Sequence, residues 1–73
     1  MTLKINEDNM TLEVDGAVIA TARRIPGGWW EVSHWPRFFD RNQAITALTV
    51  TELLSTGHRS DDPLVIALRE KLR

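Results

Sequence analysis

The sequence predicts an α+β fold in which a three- or four-stranded antiparallel β-meander packs against one capped helix, with a short C-terminal helix. Three observations lead to this prediction. In the first half of the chain, apolar and polar residues alternate between turn sequences. In the second half, apolar residues recur at helical spacing behind capping residues. All five aromatic residues, three Trp and two Phe, lie between positions 29 and 39, where the two halves meet.

The first predicted element is a β-hairpin. Met10–Val14 alternates in polarity, Asp15-Gly16 is a favoured two-residue turn, and Ala17–Ile25 is the return strand. A two-residue turn sets Leu12 opposite Ile19 and Met10 opposite Thr21. Thr11, Glu13, Val18, Ala20 and Ala22 are then expected on the other face.

The next strand is expected at Trp29–His34, after a turn at Pro26-Gly27. This register sets Arg23 opposite Trp30 and Thr21 opposite Val32. It places Trp30 and Val32 in the core, with Trp29 and Glu31 on the opposite face. By the same alternation, His34 is expected to face inward near the sheet edge as a structural histidine. Leu3–Ile5 is a candidate fourth strand, pairing with Met10–Leu12.

The first helix is predicted from its ends. Asp40 and Gln43 have the spacing of a capping box, Phe39 is placed to pack on Ala44 as a hydrophobic staple, and Gly57 marks the end. The expected core stripe of this helix is Ala44, Ala47, Leu48, Thr51 and Leu54.

A second helix is predicted from Asp62-Pro63, an N-cap followed by proline at the first helical position. Its expected apolar face consists of Leu64, Val65, Leu68 and Leu72. We expect this helix to cover Val50 and Leu53, which lie off the core stripe of the first helix. The alternative is that these two residues contribute to a two-fold contact between copies, so the expected state is a monomer or a weak homodimer.

Size and composition exclude several classes of protein. A chain of 73 residues is near the lower limit for an independent hydrophobic core, and without cysteine it has neither disulfides nor thiolate-metal sites. The first residues lack the apolar region of a signal peptide, and no stretch approaches the roughly 20 apolar residues that span a bilayer. We therefore expect one small domain, residues 1–73, in the cytoplasm, with no membrane partner and no cofactor.

The aromatic segment contains the candidate binding residues. Trp30, Phe38 and Phe39 are expected in the core, since a small domain needs large side chains to fill it. Trp29 and Trp35 remain once those three are placed, and the predicted register sets Trp29 beside Arg24. A tryptophan with a polar rim is typical of a protein-binding site. We therefore predict a non-catalytic protein-interaction module that binds another protein through Arg24, Trp29, Glu31 and Trp35.

DNA binding is the alternative. A turn, the Trp30-Glu31-Val32 strand, and Phe39 leading into a helix capped by Asp40, within residues 10–56, resemble in layout the arm-site-binding domains of phage-type integrases. That resemblance implies a sheet that binds a DNA groove. Strands that meet phosphates carry several basic residues, and the candidates here are Arg23, Arg24 and Arg37. The net charge of −1 departs from that pattern.

Catalytic and metal-binding patterns are weak. Ser33 and His34 are adjacent on a predicted strand and so point to opposite faces, which prevents them from acting as a dyad. His58, Asp61 and Asp62 lack a recognisable ligand spacing and are expected to serve as loop and capping residues. The sequence therefore predicts neither an enzyme nor a metal site.

Overall fold

The computed structural model describes residues 2–72, which form five β-strands followed by two α-helices. The elements are β1 (Thr2–Ile5), β2 (Asn9–Val14), β3 (Ala17–Ile25), β4 (Trp29–Val32), β5 (Phe38–Phe39), α1 (Arg41–Ser55) and α2 (Pro63–Glu70). The strands make one antiparallel sheet in the order β1-β2-β3-β4-β5. The predicted α+β meander with two helices is confirmed, with one strand more than expected.

The candidate fourth strand at the N-terminus is part of the sheet. Leu3 lies opposite Leu12 and Ile5 opposite Met10. The bend between the strands is closed by the Asn6 N–H, which donates to the carbonyl oxygen of Asn9 at 2.8 Å. Pairing of β1 with β2 therefore extends the meander at the edge opposite to the aromatic segment.

The β2–β3 hairpin has the predicted turn but a different register. Asp15 and Gly16 both have positive φ, 53° and 81°, as a type I′ turn requires. Glu13 pairs with Val18, but Leu12 pairs with Ala20, so Ile19 is an extra residue in a β-bulge.

The bulge makes the predicted pairs of Leu12 with Ile19 and Met10 with Thr21 wrong. Met10 lies opposite Ala22 instead, and Ala20 and Ala22 are buried, whereas the prediction placed both on the other face. One inserted residue shifts the remainder of a strand by one position, and a shift of one position exchanges its faces.

The β3–β4 connection also contains one residue more than predicted. Ile25 pairs with Trp29, so Pro26, Gly27 and Gly28 form a three-residue loop, with φ of 93° and 83° at its two glycines. The predicted Arg23–Trp30 and Thr21–Val32 pairs are wrong, since Arg24 lies opposite Trp30 and Ala22 opposite Val32. The prediction that Trp30 and Val32 are buried while Trp29 and Glu31 are exposed is nevertheless confirmed.

Strand β4 ends at Val32, two residues before the predicted end. His34 has a φ of 69° and is exposed in the turn that follows, so its predicted inward position is wrong. The turn brings the chain back as β5, where Phe39 pairs with Trp30 and Phe38 with Glu31. Phe39 is fully buried, but Phe38 is 52% exposed, because neighbouring strand residues point to opposite faces. The prediction of Phe38 in the core is therefore wrong.

Helix α1 begins and ends as predicted. The Asp40 carboxylate accepts from the Gln43 N–H at 2.8 Å, and the Gln43 side chain accepts from the Asp40 N–H at 3.3 Å. At the other end, the His58 N–H donates to the Leu53 carbonyl across Gly57, in the manner of a Schellman motif. Leu54, predicted in the core stripe, is 42% exposed, so this part of the prediction is wrong.

Helix α2 packs on α1 and contacts no strand of the described chain. Its N-cap is Asp62, whose carboxylate accepts from the Leu64 N–H at 2.8 Å. Val50 of α1 and Val65 of α2 are fully buried, which agrees with the prediction that α2 covers the second apolar side of α1. Leu64 was predicted on the apolar face of α2 with Val65 but is 50% exposed, so this part of the prediction is wrong.

The main core lies between α1 and one face of the sheet, which we call the covered face. Its buried residues are Met10, Leu12, Ala20, Ala22, Trp30, Val32, Phe39, Ala44, Ala47, Leu48 and Leu72. The opposite side, which we call the open face, has no helix on it within residues 2–72. The two faces of one sheet thus have opposite environments.

Candidate functional site

The open face carries an exposed apolar cluster at the end formed by β3, β4 and β5. Trp29 lies opposite Ile25, and in the next row Arg23 lies opposite Glu31, which lies opposite Phe38. We call these five residues the aromatic patch. Trp29 is 51% exposed and Phe38 52% exposed, although an aromatic ring is among the most favourable groups to bury.

The loop before β4 supports the indole of Trp29. A Cβ atom built on Gly27 would lie 3.3 Å from Cδ1 of Trp29, so the ring rests against the backbone of this turn. Phe38 is the diagonal neighbour of Trp29 across β4 and β5, within reach of a large side chain. The two exposed rings therefore occupy diagonal positions on the hydrogen-bonded strands β4 and β5.

Charges on the open face are paired. Arg23 Nε lies 3.1 Å from Glu31 Oε1, and Lys4 Nζ lies 3.2 Å from Glu13 Oε2. Both pairs join neighbouring strands. The Arg23–Glu31 pair lies within the aromatic patch and adds no net charge to it, whereas the Lys4–Glu13 pair lies on β1 and β2, away from the patch.

The four predicted protein-binding residues do not form one site. Trp29 and Glu31 lie together in the aromatic patch, but Arg24 lies on the covered face opposite Trp30, with Asp8 Oδ1 3.8 Å from its Nη1. The three-residue loop causes this difference, because it moves Arg24 out of register with Trp29. Trp35 lies beyond the end of β4, in the connection to β5.

Trp35 is half-buried against the main core. Its ring meets the Phe39 ring edge to face, with centroids 5.5 Å apart and planes at 79°. Its Nε1–H is directed at Thr51 Oγ1 at 3.5 Å, while the Thr51 hydroxyl donates to the Ala47 carbonyl at 3.0 Å. These contacts fix the indole over α1, on the helix side of the sheet.

Beside Trp35 lies a groove of about 660 Å³ between the β4–β5 connection, the second half of α1 and the end of α2. We call it the Trp35 groove. Its lining includes Trp35, Arg37, Val50, Thr51, Leu54 and Arg69. Most of the lining is apolar, and Arg37 and Arg69 are its only arginine or lysine residues among the described residues 2–72. The volume is within the range of about 300–1,000 Å³ typical of ligand sites.

The three arginines considered for nucleic acid lie in three places. Arg23 is on the open face in an ion pair with Glu31, and Arg24 is on the covered face near Asp8. The guanidinium carbon of Arg37 lies 4.9 Å from the centroid of the Phe39 ring, in a cation–π contact. The fold therefore does not bring them together on one face.

Polar residues considered for catalysis or metal binding have structural contacts. The Ser33 hydroxyl accepts from the Thr21 N–H at 3.0 Å. His58 Nδ1 lies 3.2 Å from Asp62 Oδ2. The Leu64 N–H, and next the hydrogen bond from His58, hold the pKa of Asp62 below its ordinary value of 3.8. In the part of the chain that the structure describes, no three His, Asp or Glu side chains are grouped as metal ligands.

Sequence reasoning missed Phe38, Leu54 and Arg69 as candidate site residues. Phe38 was assigned to the core because β5 was not recognised, and a two-residue strand has too little periodicity to detect. Val50, Leu54 and the intervening Thr51 were visible as neighbours at helical spacing. The path of the β4–β5 connection, which leaves a groove beside them, had no sequence signal.

Neither described helix is long and apolar enough to cross a membrane. No protein-family model matches the chain, and comparison with curated proteins and with solved structures gives no match either.

Proposed function

We propose that this protein is a non-catalytic protein-interaction module that binds its partner through the aromatic patch of the open face. The observation that carries the proposal is the exposure of Trp29 and Phe38, each about half accessible, at diagonal positions on the paired strands β4 and β5. Exposed tryptophan on a preorganised surface is typical of the few residues that supply most of the affinity of a protein interface.

The surroundings of the two rings support a protein partner. The Arg23–Glu31 pair has no net charge and lies beside the rings, as a polar rim lies around an interface core. The three strands that carry the patch are paired with one another, so binding requires little ordering of the chain. Such a patch suits a partner that offers an apolar, near-neutral surface.

The test compares two variants on the same face. A partner is captured with the intact chain, and its affinity is then measured by calorimetry for wild type, Trp29→Ala and Val18→Ala. We expect Trp29→Ala to weaken binding at least about 30-fold, as loss of about 2 kcal/mol would. Val18 is 54% exposed on the open face, away from the patch, and its variant is expected to bind like wild type. Equal affinities of the two variants would contradict the assignment.

DNA binding remains the alternative, and a gel-shift experiment separates it from the proposal. A salt-dependent shift of duplex DNA that is lost on combining Arg23→Ala with Arg24→Ala would favour the alternative. Absence of a shift at low salt would exclude it.

A further inference from the structure

The Trp35 groove differs from the aromatic patch in its charges. Within residues 2–72, four cationic side chains have a carboxylate oxygen within 4 Å: Lys4, Arg23, Arg24 and Arg59. Arg37 and Arg69, which border the groove, have none in that part of the chain. The groove therefore combines apolar walls with two guanidinium groups that have no carboxylate oxygen within 4 Å among residues 2–72.

The two arginines are placed along the same concave surface. Both line the groove, and both also line the adjoining depression between Trp35 and the end of α2, whose other lining residues include Ile66, Leu72 and Glu70. Arg37 is held in place by its contact with the Phe39 ring. Arg69 lies in the last turn of α2, four residues after the buried Val65. A ligand in the groove can therefore contact both the Arg37 and the Arg69 guanidinium groups.

The apolar walls limit the chemistry of that ligand. Trp35, Val50 and Leu54 offer hydrocarbon and aromatic surface, and Thr51 Oγ is already engaged by the Ala47 carbonyl and the Trp35 indole. An inorganic anion would leave this apolar surface exposed to water. A neutral hydrocarbon would leave the arginines without a partner. A molecule with an apolar body and one carboxylate satisfies both parts, since guanidinium groups bind carboxylates through charge-assisted hydrogen bonds.

We infer that the Trp35 groove binds a small apolar carboxylate, with the hydrocarbon part against Trp35 and Leu54 and the carboxylate between Arg37 and Arg69. This site lies on the helix side of the sheet and is independent of the aromatic patch. Its failure would therefore leave the proposed protein-binding function untouched.

The experiment titrates the intact ¹⁵N-labelled protein with octanoate and follows the indole N–H signals of its three tryptophans. We expect the Trp35 signal to shift saturably and the Trp29 signal to stay in place. Octan-1-ol, which has the same chain without the charge, is expected to bind about tenfold more weakly. Octylammonium, with the opposite charge, is expected to bind more weakly still.

Two variants and a matched control test the residues. Arg69→Gln is expected to weaken octanoate binding about tenfold without changing octan-1-ol binding, and Leu54→Asn to weaken both. Arg41→Gln is the control, because Arg41 is also exposed and without a carboxylate partner in the described chain but lies at the start of α1, away from the groove. It is expected to bind like wild type.

Three results would overturn the inference. One is no saturable shift of the Trp35 signal, and another is equal affinity for octanoate and octylammonium. The third is a Trp35 shift by an acetylated Leu-Asp peptide with none by octanoate, which would assign the groove to a protein segment. Arg69 and Leu54 are exposed, so neither substitution is expected to unfold the protein. Retained dispersion of the spectrum checks that each variant is folded.

Discussion

The covered face and the open face of the sheet use alternate residues of the same strands, yet they make different contributions. Trp30 is 3% exposed and Phe39 is fully buried, whereas their neighbours Trp29 and Phe38 are about half exposed. The same residue types therefore occur in both environments. The position of each residue in the pleat buries one ring of each pair in the core and leaves the other exposed to solvent.

The assignment of the two faces is tested most directly by replacing the two adjacent tryptophans in separate variants. Trp30→Ala is expected to lower the free energy of unfolding by about 3–5 kcal/mol, because it removes a large ring from the core between α1 and the sheet. Trp29→Ala is expected to cost about 1 kcal/mol or less, since half of the ring is already in water. Urea unfolding of both variants measures the difference. Similar losses would show that the faces are wrongly assigned.

A smaller loss of stability is expected from a change at the N-terminus of α1, the helix that packs on the covered face. Asp40→Ala removes the carboxylate that accepts from the Gln43 N–H, and we expect it to cost about 1 kcal/mol. Asp61→Ala is the matched control, because Asp61 is an exposed carboxylate that caps no helix and pairs with Arg59. Thermal unfolding of the two variants should differ accordingly. An equal decrease in Tm would mean that the capping box contributes nothing to stability.

The ion pair on the open face should contribute less again. We expect Glu31→Gln to cost about 0.5 kcal/mol, because Arg23 and Glu31 are both exposed and water screens their attraction. A double-mutant cycle with Arg23→Gln, at low and at high salt, measures the coupling. A coupling above that of a typical exposed pair would show that the open face is more important for stability than its exposure indicates.

The smallest effect that we expect is the pH dependence from Asp62, at the start of α2 and remote from both faces. Its pKa is lower in the folded protein than its ordinary value of 3.8, mainly because the Leu64 N–H donates to the carboxylate. Ionised Asp62 therefore stabilises the fold fully above that ordinary value, and the contribution is lost as the pH falls through the lower, folded pKa. Unfolding measured against pH should show this loss in wild type but not in Asp62→Asn. The same acid dependence in both would assign it to other carboxyl groups.

Local signals in the sequence predicted the elements and their ends. Asp15-Gly16, the Asp40–Gln43 capping box, Gly57 and Asp62-Pro63 each act within one turn of chain, and each has the predicted role. Whether Leu54 is covered depends instead on contacts between distant segments. A pattern of helical spacing cannot report where a connecting loop passes.

The strand faces were predicted correctly in part through two compensating differences. The bulge at Ile19 and the third residue in the Pro26–Gly28 loop each shift the register by one position. The two shifts cancel at Trp30 and Val32, so β4 has its predicted faces. They do not cancel within β3, where Ala22 is buried and Arg24 is on the covered face. For this reason the aromatic patch includes the predicted residues Trp29 and Glu31 but not Arg24.

The same bulge has a consequence for how the chain tolerates insertions and deletions. Ile19 has no partner on β2, so deleting it would make the hairpin regular while Ala20 stays opposite Leu12 and Ala22 opposite Met10 beneath α1. Deleting Gly28 would likewise shorten the loop to two residues and leave Ile25 opposite Trp29. Each of these single deletions should therefore be acceptable by itself, and in related chains the lengths of the two hairpins should vary independently.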